Sequence, residues 1–165
     1  MAMKIGFIEA PIREIAMTRI LISASAIIAA PPQRVYGIIA DYRNGHPHIV
    51  PPKYFRNLVV EEGGIGAGTK IRCEMVMFGK VQQAQSIVTE PEPGRVLVES
   101  TTDGLAVTSF IVEPRDGGNS ANVTIATELQ SQGLIGNALI KFLFRRIYRE
   151  ELALLAEYAA RGESR

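Results

Sequence analysis

Apolar and polar residues alternate through the middle of the chain, most clearly in TKIRCEMVM at residues 69–77. Alternate positions carry an apolar set and a charged set: Ile71, Cys73, Met75 and Met77 against Lys70, Arg72 and Glu74. Successive side chains of a strand point to opposite faces of a sheet. This period of two predicts a strand with its apolar face toward a core and its charged face toward solvent.

Six further segments have the composition of strands and lie between turn signals. They are residues 19–29, 55–62, 80–90, 95–101, 105–114 and 121–129. Most connections are short and rich in Gly, Pro or Asp, as in GGIGAG at 63–68 and EPEPG at 90–94. Short turns favour antiparallel neighbours. We therefore predict a curved antiparallel sheet of about seven strands.

Two regions have a helical pattern instead. PPQRVYGIIADY at 31–42 predicts a short helix, because Pro is tolerated in the first helical turn and the apolar residues recur at helical spacing. Residues 43–54 contain Gly45 and several prolines, which predicts a loop or one broken helical turn. Residues 134–161 are rich in Leu, Ala, Glu, Arg and Ile, and they predict a closing helix roughly 40 Å long.

This order of elements predicts one α+β domain at residues 19–162, preceded by an N-terminal extension at 1–18. Arg19 and the apolar run after it resemble the core of a signal peptide. The run is shorter than the roughly 20 residues that span a bilayer. The sheet needs a first strand, so we assign the run to that strand, and Met17 is an alternative start.

Composition limits the classes of function. The chain has 165 residues, 47% of them hydrophobic and 21% charged, with a formal net charge of +1. Such a weak charge gives no strong field to attract nucleic acid or an acidic membrane surface, and we predict neither nucleic-acid binding nor stable membrane insertion. The single cysteine, Cys73, cannot form an internal disulfide, so we predict a cytoplasmic protein. No cofactor motif appears, and GGIGAG lacks the spacing of a phosphate-binding loop.

Four segments resemble parts of the SRPBCC or START-like helix-grip superfamily, in its polyketide cyclase/dehydrase-like branch. They are IIAAPPQRVYGIIADYRNGHPH, VEEGGIGAGTK, IVTEPEPGRVLVES and GLIGNALIKFLFRRIYREELALLAEYAAR. Their order resembles the first strand and proline-led helix, the glycine loop, the central hairpin and the closing helix of that superfamily. The resemblance implies a helix-grip fold: about seven antiparallel strands around a long C-terminal helix, with two short helices after the first strand.

The resemblance also implies a hollow between the sheet and the long helix that holds lipids, polyketides or other apolar molecules. We expect side chains on the apolar faces of the strands and helices to contact such a ligand. The expected ligand-binding residues are Tyr36, Ile39, Ile71, Cys73, Met75, Met77, Val98, Ser100, Val107, Ser109, Ile125, Leu139, Phe142 and Leu143.

Few residues are candidates for catalysis. His46 and His48 are the only histidines, and Tyr42 lies close to them in the sequence. Histidine exchanges protons near neutral pH, and the resemblance implies that this loop lies near the pocket entrance. Arg146 shares a stripe of the closing helix and is a candidate for binding a ligand carboxylate. No third residue with suitable spacing accompanies the two histidines, so we predict no metal site.

Three functions remain open. The first is a carrier or sensor of a small hydrophobic ligand, which predicts an aliphatic inner surface with few titratable groups. The second is a cyclase or dehydratase acting on a polyketide-like substrate, which an inward-pointing His within reach of a Tyr or Arg would favour. The third is a protein-interaction module. We favour the carrier, and the sequence leaves open whether the chain forms a homodimer.

Overall fold

A computed structural model describes residues 18–131 and 134–161 of the chain. In that part, seven strands and two α-helices follow in the order β1 (Thr18–Ile28), α1 (Pro32–Ala40), β2 (Phe55–Glu62), β3 (Lys70–Met77), β4 (Lys80–Glu92), β5 (Val96–Thr101), β6 (Ala106–Arg115), β7 (Ser120–Ser131) and α2 (Leu134–Ala160). Thr18 is already part of β1, whereas the rest of the expected N-terminal extension lies outside the described residues. No helix of the described part combines the length and hydropathy needed to cross a bilayer.

The strands form one antiparallel sheet in the order β1-β7-β6-β5-β4-β3-β2. Strands β2 to β7 pair with their neighbours in sequence, whereas β1 pairs with the last strand from Thr18↔Ser131 to Ile28↔Ala121. The predicted α+β architecture, with seven antiparallel strands and a long closing helix, is confirmed. Of the two short helices expected after the first strand, α1 is present and the second is a single 3₁₀ turn at His46–His48. Pro47 lies inside that turn, and Pro51 and Pro52 follow it, so a longer helix is disfavoured.

The end of α1 directs the chain into this 3₁₀ turn. The Asp41 carboxylate accepts hydrogen bonds from the backbone N–H groups of Arg43 and Asn44, at 3.0 and 2.9 Å. The His46 N–H donates to the Asp41 carbonyl oxygen at 2.7 Å. These bonds satisfy backbone groups where the helix ends and turn the His46 side chain back under α1.

The inner face of the sheet follows the predicted alternation in β3 but not in β5 and β6. Strands β5 and β6 turn Leu97, Glu99 and Phe110 inward. The intervening positions of these strands therefore lie on the outer face, because side chains alternate along a strand. The expectation that four residues at these positions face the ligand is wrong; they are Val98, Ser100, Val107 and Ser109. Both faces of these strands carry apolar residues, so the pattern did not reveal which face is buried.

Helix α2 packs against β1 with one continuous buried stripe. Its members recur every three or four residues: Phe144, Ile147, Tyr148, Glu151, Leu152, Leu155 and Ala159. Leu139 and Phe142 were expected to face the ligand but are 56% and 67% exposed, because they lie off this stripe. Leu143 is partly buried against the core. Leu139 and Phe142 thus contribute less to the core than their apolar character suggests.

Truncation of Leu155 tests the position of the stripe. Leu155 is 1% exposed and Leu139 is 56% exposed on the same helix. We expect Leu155→Ala to lower the free energy of unfolding by about 2–5 kcal/mol, because it leaves a cavity in the core. We expect the matched Leu139→Ala to change it by less than about 0.5 kcal/mol. Urea denaturation measures both values, and equal losses would contradict the assignment.

Candidate functional site

A cavity of about 110 Å³ lies between the inner face of the sheet and α2. Most of its wall is apolar, formed by side chains that include Val50, Phe55, Leu58, Ile71, Met75 and Phe144. Ligand pockets usually have volumes of roughly 300–1,000 Å³, whereas an apolar cavity of about 150 Å³ can hold one benzene molecule. The cavity is smaller than both of these volumes, so it has room for no more than one ring.

One part of the cavity wall is polar. It consists of His46 from the 3₁₀ turn, Glu99 from β5, Tyr148 and Glu151 from α2, and the hydroxyl groups of Thr108 and Thr127. A short hydrogen bond joins the Thr127 and Tyr148 hydroxyl groups, and the Thr108 hydroxyl lies 2.8 Å from that of Thr127. Burial raises the pKa of Tyr148 well above its ordinary value, so it remains a neutral hydroxyl.

Glu99 joins two side chains from the region after α1. The Tyr42 hydroxyl donates to Glu99 Oε1 at 2.5 Å, and His46 Nε2 lies 3.6 Å from the same oxygen. The Tyr42 and His46 rings stack with their centroids 4.4 Å apart. His46 Nδ1 lies 2.8 Å from the Ile39 carbonyl oxygen, which can only accept, so Nδ1 carries a proton. The other nitrogen, Nε2, is therefore available to exchange a proton on the cavity side.

Glu151 is the second carboxyl group of the cavity, and it is 4% exposed. Within residues 18–131 and 134–161, its side chain has no hydrogen-bond partner. Burial raises the pKa of Glu151 well above its ordinary value, and the negative charge of Glu99 raises it further. Burial and the neighbouring charge of Glu99 thus both favour the protonated form of Glu151 in an otherwise largely apolar enclosure.

Sequence comparison now places the chain in a family. Residues 19–160 match the family model described as polyketide cyclase/dehydrase and lipid transport. The chain belongs to this polyketide cyclase/dehydrase family. No curated protein matches the chain.

Solved structures share the fold of this family member at low sequence identity. The solution structure of the KanY protein is 23% identical, with a TM-score of 0.76 over 87% of this chain and 99% of KanY. The Zhui aromatase/cyclase from Streptomyces sp. R1128 is 16% identical, with a TM-score of 0.71 over 87% of this chain and 95% of its own. A START superfamily protein from Mycobacterium smegmatis is 13% identical, with a TM-score of 0.69 over 86% of this chain and 97% of its own. These likenesses support the helix-grip fold that the sequence predicted.

The predicted site residues of this family member are only partly brought together. Ile71, Cys73 and Met75 line the cavity. Burial raises the pKa of the Cys73 thiol to about 11, so the thiol is protonated at neutral pH and is a poor nucleophile. The remaining predicted side chains belong to the core or pack against it: Tyr36, Ile39, Met77 and Ile125. The Tyr36 hydroxyl donates to Glu90 at 2.6 Å.

The four candidate catalytic residues divide into two pairs. Tyr42 and His46 are buried beside Glu99. His48 is exposed and stacks on Tyr158 with a centroid distance of 4.7 Å. Arg146 is exposed on α2, away from the cavity. The described residues contain no group of three His, Cys, Asp or Glu side chains that could hold a metal ion.

Sequence reasoning missed both glutamates of the cavity. Glu151 follows Ile147 by four residues and precedes Leu155 by four, so it occupies a core position of α2. A charged residue inside an apolar stripe is the signal that could have identified it. The charge of Glu99 was misleading, because a charged residue usually indicates that its face of a strand is exposed to solvent.

The glycine loop at 63–68 holds the end of α1 against the sheet. The Tyr42 N–H donates to the Gly64 carbonyl oxygen, and the Gly66 N–H donates to that of Ala40, both at 2.9 Å. Gly66 has φ of 59°, and a Cβ there would lie 2.3 Å from Glu90 Oε2. The loop therefore has a structural explanation that involves no phosphate.

Replacement of Glu151 tests its buried, protonated state through the pH dependence of stability. Between the ordinary pKa and the raised one, the folded state binds more protons than the unfolded state, so stability falls as pH rises. We expect Glu151→Gln to remove this fall. Relative to the wild type, the free energy of unfolding of the variant should increase by up to about 1.4 kcal/mol for each pH unit above pH 5.

Urea denaturation between pH 5 and 8 measures this difference. Glu157→Gln is the control, because Glu157 is exposed on the same helix, and it should leave the pH dependence unchanged. Parallel pH profiles of wild type and Glu151→Gln would refute the assignment.

Proposed function

We propose that the chain binds a small molecule with an apolar body and one polar group in the cavity between the sheet and α2. The observation that carries this proposal is the unpartnered, buried carboxyl group of Glu151 in a largely apolar cavity. Residues 19–160, the part that matches the family model, would form the binding domain. The proposed role is that of a carrier or sensor.

The energetics of the carboxyl group favour a ligand with hydrogen-bonding capacity. The Glu151 carboxyl group borders the cavity, and a polar group left without a hydrogen-bond partner in apolar surroundings costs up to about 1–3 kcal/mol. A ligand whose polar group forms a hydrogen bond with Glu151 removes this cost, and the difference contributes to its binding free energy. The apolar wall then contributes in proportion to the area that the ligand removes from water.

The size of the cavity favours a ligand of one ring in the structure as it stands. A larger molecule would require the cavity to expand. The family description names lipid transport beside cyclases and dehydrases, and the Zhui neighbour is an aromatase/cyclase. Both descriptions support a ligand built largely from carbon and hydrogen, with oxygen groups at few positions.

Filling the cavity tests the proposal. Ala84 of β4 lines the cavity, whereas Val107 lies on the outer face of β6 and is 38% exposed. We expect Ala84→Leu to weaken the binding of one-ring ligands such as 2-phenylethanol at least tenfold, or about 1.4 kcal/mol. Val107→Leu is the matched control and should bind as the wild type does. Isothermal titration calorimetry measures the affinities, and equal affinities for all three proteins would overturn the proposed site.

The second candidate function is acid–base catalysis on a ligand held in the same cavity. The observation that favours it is the array of Tyr42, Glu99 and His46 beside Glu151. The inward-pointing His46 stacks on Tyr42, which is the arrangement expected for an enzyme and not for a carrier with few titratable groups. Pairs of titratable groups in different environments are typical of acid–base sites.

This array suits the dehydration of a β-hydroxy carbonyl compound. His46 Nε2 would accept the proton from the carbon between the two functional groups, and that C–H electron pair would form the new C=C bond. The C–O bond to the hydroxyl group would break as Glu151 donates its proton, and water would leave. The proton on His46 then returns to Glu151, directly or through water, so no oxidant or reductant is needed.

Replacement of His46 tests the catalytic candidate. We expect the wild-type protein to convert 4-hydroxy-4-phenyl-2-butanone to its enone, which absorbs in the near ultraviolet. His46→Gln should lower the rate about 10²-fold or more, as general bases usually contribute about 10²–10⁴-fold. His48→Gln is the control, because His48 lies outside the cavity. A wild-type rate equal to that of buffer would exclude this reaction and leave the binding role.

A further inference from the structure

The cavity has open hydrogen-bond acceptors on its polar wall. Glu99 Oε1 accepts the Tyr42 hydroxyl, whereas Glu99 Oε2 and both oxygens of Glu151 have no hydrogen-bond partner among residues 18–131 and 134–161. Both side chains line the cavity, and Glu151 is 4% exposed. All three oxygens belong to side chains that line the cavity, and all three are acceptors once Glu151 is ionised.

No lysine or arginine of the described residues accompanies these carboxyl groups in the cavity wall. The one basic side chain is His46, whose Nε2 lies 3.6 Å from Glu99 Oε1. That distance exceeds the 2.7–3.2 Å of an N–H···O hydrogen bond, and its Nδ1 is bound to the Ile39 carbonyl oxygen. The wall thus has an excess of acidic groups, which favours a cationic ligand.

We propose that the polar group of the ligand is a protonated amine carried on a small apolar or aromatic body. This inference rests on the proposed function, because it names the chemical class of the ligand in the same cavity. A primary ammonium group has three N–H donors and no acceptor, which suits the carboxylate oxygens of Glu99 and of an ionised Glu151. A carboxylate ligand would instead meet two acidic groups, and a hydroxyl group would use fewer of the open oxygens.

Aromatic side chains around the cavity add to this preference. The lining includes Phe55, Phe110, Phe144 and Tyr148. The face of an aromatic ring attracts a cation within about 6 Å of its centroid. The same rings pack against an aromatic body. An arylalkylamine therefore finds acceptors for its ammonium group and apolar surface for its ring in one enclosure.

Amine binding would change the protonation of the site. The titratable groups that face the Glu151 carboxyl are Glu99 on β5, Tyr148 on α2, His46 and Tyr42 after α1, and Cys73 on β3. Tyr42, Cys73 and Tyr148 have raised pKa values and remain protonated. A bound cation favours the ionised form of Glu151, so the binding of a protonated amine should release a proton.

Calorimetry with four ligands of similar size tests this inference on the full chain. The ligands are phenethylamine, 2-phenylethanol, phenylacetate and ethylbenzene. We expect phenethylamine to bind at least tenfold more tightly than 2-phenylethanol, and phenylacetate to bind most weakly. At pH 6.5, buffers with different ionisation enthalpies should reveal the release of up to one proton per phenethylamine and none per 2-phenylethanol.

Glu151→Gln should lower the affinity for phenethylamine at least tenfold more than the affinity for 2-phenylethanol, and it should abolish proton release. Glu150→Gln is the control, since Glu150 is adjacent on α2 but does not line the cavity. Binding of 2-phenylethanol or ethylbenzene without a preference for the amine would overturn the amine inference alone. Failure of all four ligands to bind the wild-type protein would overturn the proposed binding function as well.

Discussion

The pairing of β1 with β7 along their whole length is the constraint on which the rest of the molecule depends. It joins the first strand to the last and so brings together parts of the chain that are distant in sequence. Helix α1 and the His46 turn follow β1, whereas α2 follows β7. The cavity receives His46 from the first region and Tyr148 and Glu151 from the second, so its polar wall is complete only when this pair of strands has formed.

The same arrangement gives two glutamates different surroundings. Glu99 has the Tyr42 hydroxyl as a hydrogen-bond donor and His46 as a neighbour. Glu151 has no such donor in the described part of the chain and lies deep below the surface. The charge of the first carboxyl group raises the pKa of the second. One fold thus places a proton acceptor and a proton donor in one enclosure, which suits both ligand recognition and proton transfer.

The sequence was sufficient for the architecture because the turn signals, the period of two and the closing helix all indicated the same fold. It was sufficient for the inner face of β3, where apolar and charged residues alternate from Lys70 to Met75. It was insufficient for β5, where Val96, Leu97 and Val98 are all apolar. Burial is decided there by pairing with neighbouring strands, and Glu99 lies inward against its own polarity. The cavity glutamates could not be predicted, because their positions depend on contacts with residues about 50 positions or more away.

Glu90 links two parts of the domain on one side of the cavity. Its carboxyl group accepts the Tyr36 hydroxyl from α1 and the Ala67 N–H from the glycine loop, at 2.6 and 2.8 Å. Helix α1 and this loop are therefore both tied to the adjoining end of β4 through one side chain. Any widening of the enclosure that moved α1 away from the sheet would consequently have to break these two hydrogen bonds.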